Sequence, residues 1–350
     1  MKKRFVLLAV AAAVMAVFPT AISASDAPGR AKSGGEPVSI DMSGAEVTDF
    51  TRTATAAKID EVLAKARQAG MESVQAQGLQ RSAAAAGHTV DYTLIDGDTA
   101  YFYEKSPTQA KEKVYVYEAA ASEAGGDAGR RITAMAGNLP DGIGGRAIVN
   151  GNGSYLNATV RLAASNQLTG APSGATYTYA GFSGTSGSQG VETDMGLQYS
   201  NAYNNQKWLP VLSVFKGSKQ FGTLVPPYNQ VQYKNGYKPG TDVNLTAYRN
   251  SNGSVRLSLS GYAICSDMSC SSQTDTYLTA VAEVANINVS SVSKWKMLAT
   301  LAGSESVTGR NYAEFKNVNV DGAARTPVKD VEDYATVVVS GNNVTINVSR

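Results

Sequence analysis

The sequence has 350 residues, 43% of them hydrophobic and 17% charged, with a formal net charge of +2. That length suits one large or two ordinary domains. Three of the 31 basic residues, Lys2, Lys3 and Arg4, open the chain, and without them 28 bases face 29 acids, a balance that excludes the clustered positive charge of a nucleic-acid or anionic-membrane binder.

Those three bases precede an apolar run from Phe5 to Phe18, and small residues follow, with Ala21 and Ser23 suited to the −3 and −1 positions of a cleavage site. The pattern is that of a secretory signal peptide over residues 1–25, and it places the mature protein outside the cell. Residues 26–45 form a Ser/Gly/Ala/Pro-rich lead. The next stretch is helix-prone: Ile59, Val62, Leu63 and Ala66 recur at helical spacing between Lys58, Asp60, Glu61, Lys65 and Arg67. Gly70 is the expected stop of a first helix and Gly87 of a second. "HTVDYTLIDGDTAYFYEK" then alternates around Asp96-Gly97, a hairpin signal, and "KEKVYVYEAA" offers a third strand.

Glycines crowd residues 120–146, so a domain boundary is placed near 140. This divides the chain into an N-terminal helix-plus-hairpin region, 26–140, and a β-sandwich domain, 141–350. From about 145 short alternating segments recur between turns such as Asn152-Gly153 and Asn252-Gly253. The expected fold class is mainly β: a sandwich or jelly roll preceded by a small α+β region. "VSSVSKWKMLATLAGSE" breaks the rhythm, since Val292, Trp295 and Leu298 suggest a short helix or a strand with an irregular connection. "ATVVVSGNNVTINVSR" closes the chain as a hairpin. Cys265 and Cys270, separated by four turn-forming residues, are expected to form a local disulfide in an oxidising exterior.

The segment with most chemistry is "GVETDMGLQYS", residues 190–200. As a strand it sends Val191, Thr193, Met195, Leu197 and Tyr199 to one face, and Glu192, Asp194, Gly196, Gln198 and Ser200 to the other. Tyr177, Tyr179, Tyr203 and Trp208 lie near it in sequence. Aromatic rings stack on the apolar faces of sugars while carboxylates and amides bond their hydroxyls, so a glycan is the ligand this mixture suits. The ligand-binding candidates are Glu192, Asp194, Gln198, Tyr203 and Trp208, with Gly196 leaving room beside them. Hydrolysis needs two carboxylates about 5–5.5 Å apart for retention or about 6.5–9.5 Å for inversion. Glu192 and Asp194 meet either through side-chain flexibility.

The E-x-D run resembles the catalytic strand of concanavalin A-like glucanases, in which a first Glu is nucleophile, the Asp assists and a final Glu is the acid/base. Glu192 and Asp194 match the first two. Gly196, Leu197 and Gln198 stand where the last would be, so cleavage requires another acid, for which Glu283 or Glu314 is the candidate. Over residues 145–322 the chain resembles the secreted YrpD-like proteins of Gram-positive bacteria, carried by "YTYAGFSGTSGSQGVETDMGLQYS", "WLPVL" and "YAEFKNVNVDG". That family has no assigned activity; the resemblance implies a secreted β-rich domain. "AEFKNVNVDG" is also similar to the closing strand of concanavalin A-like jelly rolls.

Other constellations point nowhere specific. The single histidine, His88, lies outside the β-domain, and "SGTSGSQG" lacks the Lys-Ser/Thr of a phosphate loop. No cofactor is expected; a structural calcium would have to use residues such as Asp194, Asp242 and Asp321, without a D-x-D-x-D-G loop. The expectation is a secreted module, non-catalytic or weakly catalytic, whose partner is extracellular or cell-wall polysaccharide. The alternatives are a glycan hydrolase or lyase using Glu192 and Asp194 with a third acid, and a structural protein with no small-molecule site. A further expectation makes the N-terminal region a pro-segment or arm that covers the Glu192 face.

Overall fold

The computed structural model describes residues 38–43, 49–76, 88–97, 99–105, 112–118, 142–168, 175–200, 206–222, 235–264, 276–303 and 306–350. The N-terminal part supplies β1 (Val38–Ser43), α1 (Asp49–Ala76), β2 (His88–Asp96), β3 (Thr99–Lys105) and β4 (Glu112–Glu118). Next come β5 (Gly142–Asn150), β6 (Tyr155–Leu162), β7 (Ala175–Ser186), β8 (Gln189–Ser200), β9 (Lys207–Lys216) and β10 (Lys219–Gly222). They are followed by β11 (Asp242–Ser251), β12 (Ser254–Ala263), β13 (Thr276–Val284), β14 (Ser291–Ala302) and β15 (Arg310–Val320). The chain ends with β16 (Ala323–Ala324), β17 (Val328–Asp333), β18 (Ala335–Ser340) and β19 (Asn343–Ser349).

The strands form a sandwich of two sheets. A 12-stranded sheet runs β1-β4-β3-β2-β13-β12-β11-β6-β15-β19-β18, with β16 paired to β15 at its side. A 7-stranded sheet runs β10-β9-β8-β7-β14-β5-β17. The main core lies between them. Val191, Met195 and Leu197 of β8 enter it, as the alternation requires, beside Phe182, Trp295 and Met297. Leu245, Leu257 and Phe315 meet them from the larger sheet.

Strands β11 and β12 form the expected hairpin, turning through Asn252 (φ 52°) and Gly253 (φ 86°). Both positive dihedrals suit the Asn-Gly pair. The β2–β3 hairpin also forms, one residue later than expected: Asp96 pairs with Thr99, and Gly97 (φ 63°) opens the turn. Two local expectations give way. "SVSKWKMLATLA" is not a helix but the 12-residue strand β14, paired on both sides by β7 and β5, with a register shift against β7 between Val292 and Lys294. Its helix-like spacing arose because Trp295 and Leu298 point to opposite faces, and both faces are buried there.

Gly70 does not stop the first helix; α1 runs on to Ala76. A Cβ on Gly70 would sit 3.1 Å from Val90 Cγ2, so the glycine lets the helix lie close on β2. The expected second helix, beyond Ala76 and up to Gly87, lies outside the described residues.

The division near residue 140 separates strands that share a sheet. Strand β2 pairs in parallel with β13, from Tyr277 opposite His88 to Val284 opposite Ile95, so the N-terminal strands continue the large sheet. α1 covers their outer side, burying Ile59, Val62, Leu63, Ala66 and Ala69 against Tyr92, Leu94, Tyr103 and Val281. Ile95, Ala100 and Phe102 point the other way, into the main core. With both faces covered, β2 and β3 are buried almost continuously, polar Asp91, Thr93 and Glu104 included.

Candidate functional site

Residues Glu192 and Asp194 stand on the outer face of the 7-stranded sheet, away from the core. Strand register builds that face in rows. Ser213, Asp194, Gly181, Lys296 and Ile148 lie side by side across β9, β8, β7, β14 and β5. The flanking row is Val211, Gly196, Tyr179, Leu298 and Arg146, and the next places Gln198 beside Tyr177 and Thr300.

Lys296 organises the centre. Its Nζ donates to Glu192 Oε2 at 3.0 Å and lies 3.6 Å from Asp194 Oδ1. The ammonium reaches both acids from β14, with Gly181 of β7 as its cross-strand neighbour. Ser183 Oγ donates to Glu192 Oε2 as well, at 2.9 Å. Lys296 keeps only 10% of its side chain exposed, while Glu192 and Asp194 keep 39% and 41%. The cation is therefore the floor of the site and the two carboxylates are its accessible edge.

Asp194 is crowded by its neighbours although solvent still reaches it. Desolvation raises its carboxyl above the usual aspartate range, Lys296 pulls it back, and the Glu192 charge adds to the rise. The phenols of Tyr177 and Tyr179 are raised by burial and by the Asp194 charge. Their rings meet edge-on, 6.3 Å apart, forming a short aromatic wall beside the acids. Tyr179 packs on Leu298 and Val331, and Arg146 pairs with Asp330 at the same end.

Several expected site residues lie elsewhere. Trp208 is fully buried on the opposite face of β9, where Tyr199 packs on it and its Nε1 donates to Ala163 O at 3.4 Å. An odd–even offset between β8 and β9 puts it there: Trp208 pairs with Tyr199, a core-side residue. Gln198 does share the Glu192 face. The room at Gly196 is taken, since a Cβ there would run into the backbone of Thr178 and Tyr179. Tyr203 and the Cys265–Cys270 pair lie outside the described residues.

The two candidate third acids are across the molecule. Glu283 is buried on the outer side of β13 beneath α1, 3.1 Å from Lys65 Nζ. Glu314 is on the outer face of β15 near Lys316. The whole core separates both from Glu192, which overturns a hydrolase completed by either one. Nor do Asp194, Asp242 and Asp321 converge on a calcium. Asp242 pairs with Lys316 and Arg161, and Asp321 accepts the Ser154 and Tyr155 N–H groups at the far end of β6. Among the described residues, no group of three or more His, Cys, Asp or Glu is placed to hold a metal ion. Likewise, no described helix is long and apolar enough to cross a membrane.

Lys296 is the residue that sequence reasoning missed. The alternation of Lys294 and Lys296 with Trp295 and Met297 was the available signal, obscured because the segment also fits a short helix. His88, at the start of β2, bonds Thr279 Oγ1 at 2.9 Å on the other side of the molecule.

The family described as a domain of unknown function, YrpD, matches residues 136–348. The chain belongs to the YrpD family. It is 37% identical over 218 residues to the uncharacterised protein YrpD of Bacillus subtilis (strain 168), covering 61% of this chain and 85% of that protein. The matched YrpD region contains the whole small sheet, including Glu192, Asp194 and Lys296, whereas α1 and β1–β4 precede it. Among solved structures, scytalido-glutamic peptidase with a peptide-based transition-state analogue is similar at 12% identity and TM-score 0.37, over 61% of this chain and all of that one. SCP-B, a member of the eqolisin peptidases in complex with the tripeptide Ala-Ile-His, is similar at TM-score 0.35 with the same identity and coverage. Likeness at that level carries no argument about the chemistry of this YrpD-family chain.

Proposed function

We propose that the outer face of the 7-stranded sheet binds a polysaccharide chain of the cell wall or extracellular matrix, and that the protein works outside the cell as a non-catalytic module. The observation that carries this reading is the joint display of two half-exposed carboxylates beside an edge-on tyrosine pair. Carboxylates accept from sugar hydroxyls, and the Tyr177 and Tyr179 rings offer apolar surface for a pyranose face. Binding is favoured over cleavage because Lys296 and Ser183 already engage Glu192, the expected nucleophile. The N-terminal leader supports secretion. A jelly roll of the concanavalin A kind is the architecture we attach to this reading.

The test is a pull-down on insoluble cell-wall polysaccharide with a glycan array beside it. The Glu192→Ala/Asp194→Ala double variant is expected to lose at least about tenfold in affinity, which corresponds to roughly 1.4 kcal/mol. Equal binding by wild type and variant would remove this face from consideration. Folded wild type that binds no glycan would favour a structural protein without a small-molecule site.

A further inference from the structure

The large sheet ends at β18, whose sequence "ATVVVS" carries no charge and no proline. Its pairing with β19 closes on Ser340 opposite Asn343, around a two-residue turn. In such a hairpin the closing pair exchanges both backbone bonds, and every second pair does so after it. Ser340, Val338 and Thr336 therefore bond β19, while the N–H groups of Ala335, Val337 and Val339 point outward. Natural sheets protect such edges with charges, prolines, bulges or covers. Strand β18 has none of the first three.

Among the described residues, one side chain covers its backbone edge. Glu332, on β17, sends Oε1 to the Val337 N–H at 2.6 Å, and Lys329 Nζ holds the same oxygen at 3.2 Å. The middle outward donor of the edge is thus occupied by a carboxylate that a partner strand would have to displace. Around it, Val338, Tyr334 and Val328 are 52%, 53% and 49% exposed. Exposed apolar surface and an uncharged edge coincide at one corner.

We propose that the open edge of β18 is a self-association surface for a second copy of this chain, and that Glu332 is the gate covering it. Among partners a second copy fits best, because an uncharged alternating strand meets no repulsion when paired antiparallel with itself about a two-fold axis. That pairing joins the two large sheets edge to edge and brings the exposed Val338 side chains of the two copies to one seam.

The experiment measures mass by light scattering on the mature full-length protein over a concentration series. Wild type is expected to be monomeric. Glu332→Ala is expected to double in mass, and Glu332→Gln, which keeps an acceptor for the Val337 N–H, is expected to stay monomeric. Adding Val338→Lys to Glu332→Ala should restore the monomer, since this exposed position can carry an edge charge without disturbing the core. A monomeric, folded Glu332→Ala overturns the proposal, as does a Glu332→Ala dimer that Val338→Lys leaves intact. If Glu332→Gln dimerises as fully as Glu332→Ala, the bond to Val337 is not the gate. Should Glu332→Ala fail to fold, Glu332→Asp replaces it: the shorter side chain falls short of Val337, and a monomer would be equally damaging.

Discussion

Lys296 sits nine-tenths buried beneath two carboxylates that are each about two-fifths exposed. Replacing it with methionine keeps the aliphatic stem and removes the charge, leaving Glu192 and Asp194 to repel each other. A fully buried pair broken in this way costs about 3–5 kcal/mol. Solvent screening of the exposed acids reduces the expected loss to about 1–2 kcal/mol, readable as a lower urea midpoint. Asp194→Asn should do the opposite. Asp194 is harder to ionise in the folded protein than in the unfolded chain, so its contribution favours folding at low pH and is lost as pH rises through the raised folded value. Urea titrations of the Asn variant at several pH values should show it gaining on wild type from acid to neutral. A gain on going toward acid would mean that Asp194 is stabilised as an anion. Glu192 and Asp194 were legible as a shared face from period-two alternation, yet nothing local showed that a lysine 104 residues after Glu192 would reach both of them.

At the scale of elements, α1 is attached by a stripe of small and branched apolar residues edged with charge. Arg67 bonds Glu112 through Nη2 at 2.5 Å and Nε at 3.2 Å, Tyr103 donates to the same carboxylate at 2.8 Å, and Lys65 bridges Glu61 and Glu283. Arg67 and Tyr103 hold Glu112 below the usual glutamate range against the opposing effect of its burial, and Lys58 and Lys65 do the same for Glu61. Stability from lowered carboxylates is present above their unfolded values and lost as pH falls through the folded ones. Hydrogen exchange should therefore show α1 losing protection on acidification before the central strands do. Arg67→Met strands the nearly buried Glu112 and is expected to cost about 2–3 kcal/mol by urea unfolding. Unchanged α1 protection in that variant would mean the apolar stripe alone holds the helix. The helix itself was legible from Ile59, Leu63 and Ala66; its length was not. Gly70 signals a stop on an exposed helix, and here Val90 lies against it instead.

For the molecule as a whole, the sandwich depends on interdigitation between two sheets of unequal width. Trp295 is fully buried there, edge-on to Phe182 with ring centroids 5.4 Å apart. Trp295→Ala should cost about 3–5 kcal/mol, measured by urea unfolding, whereas Trp substitution by Phe should cost much less. The sequence by itself determined the mainly-β class, the existence of the β2–β3 hairpin though not its exact register, the hairpin at Asn252-Gly253, and the sidedness of β8, because turn chemistry and period-two alternation act within a few residues. Only the tertiary structure decided that β2 pairs with β13, that Trp208 and Gly196 serve packing, and that Glu283 and Glu314 face away from Glu192. Those outcomes follow from register between strands far apart in the chain, where shifting a pairing by one residue moves a side chain to the other face.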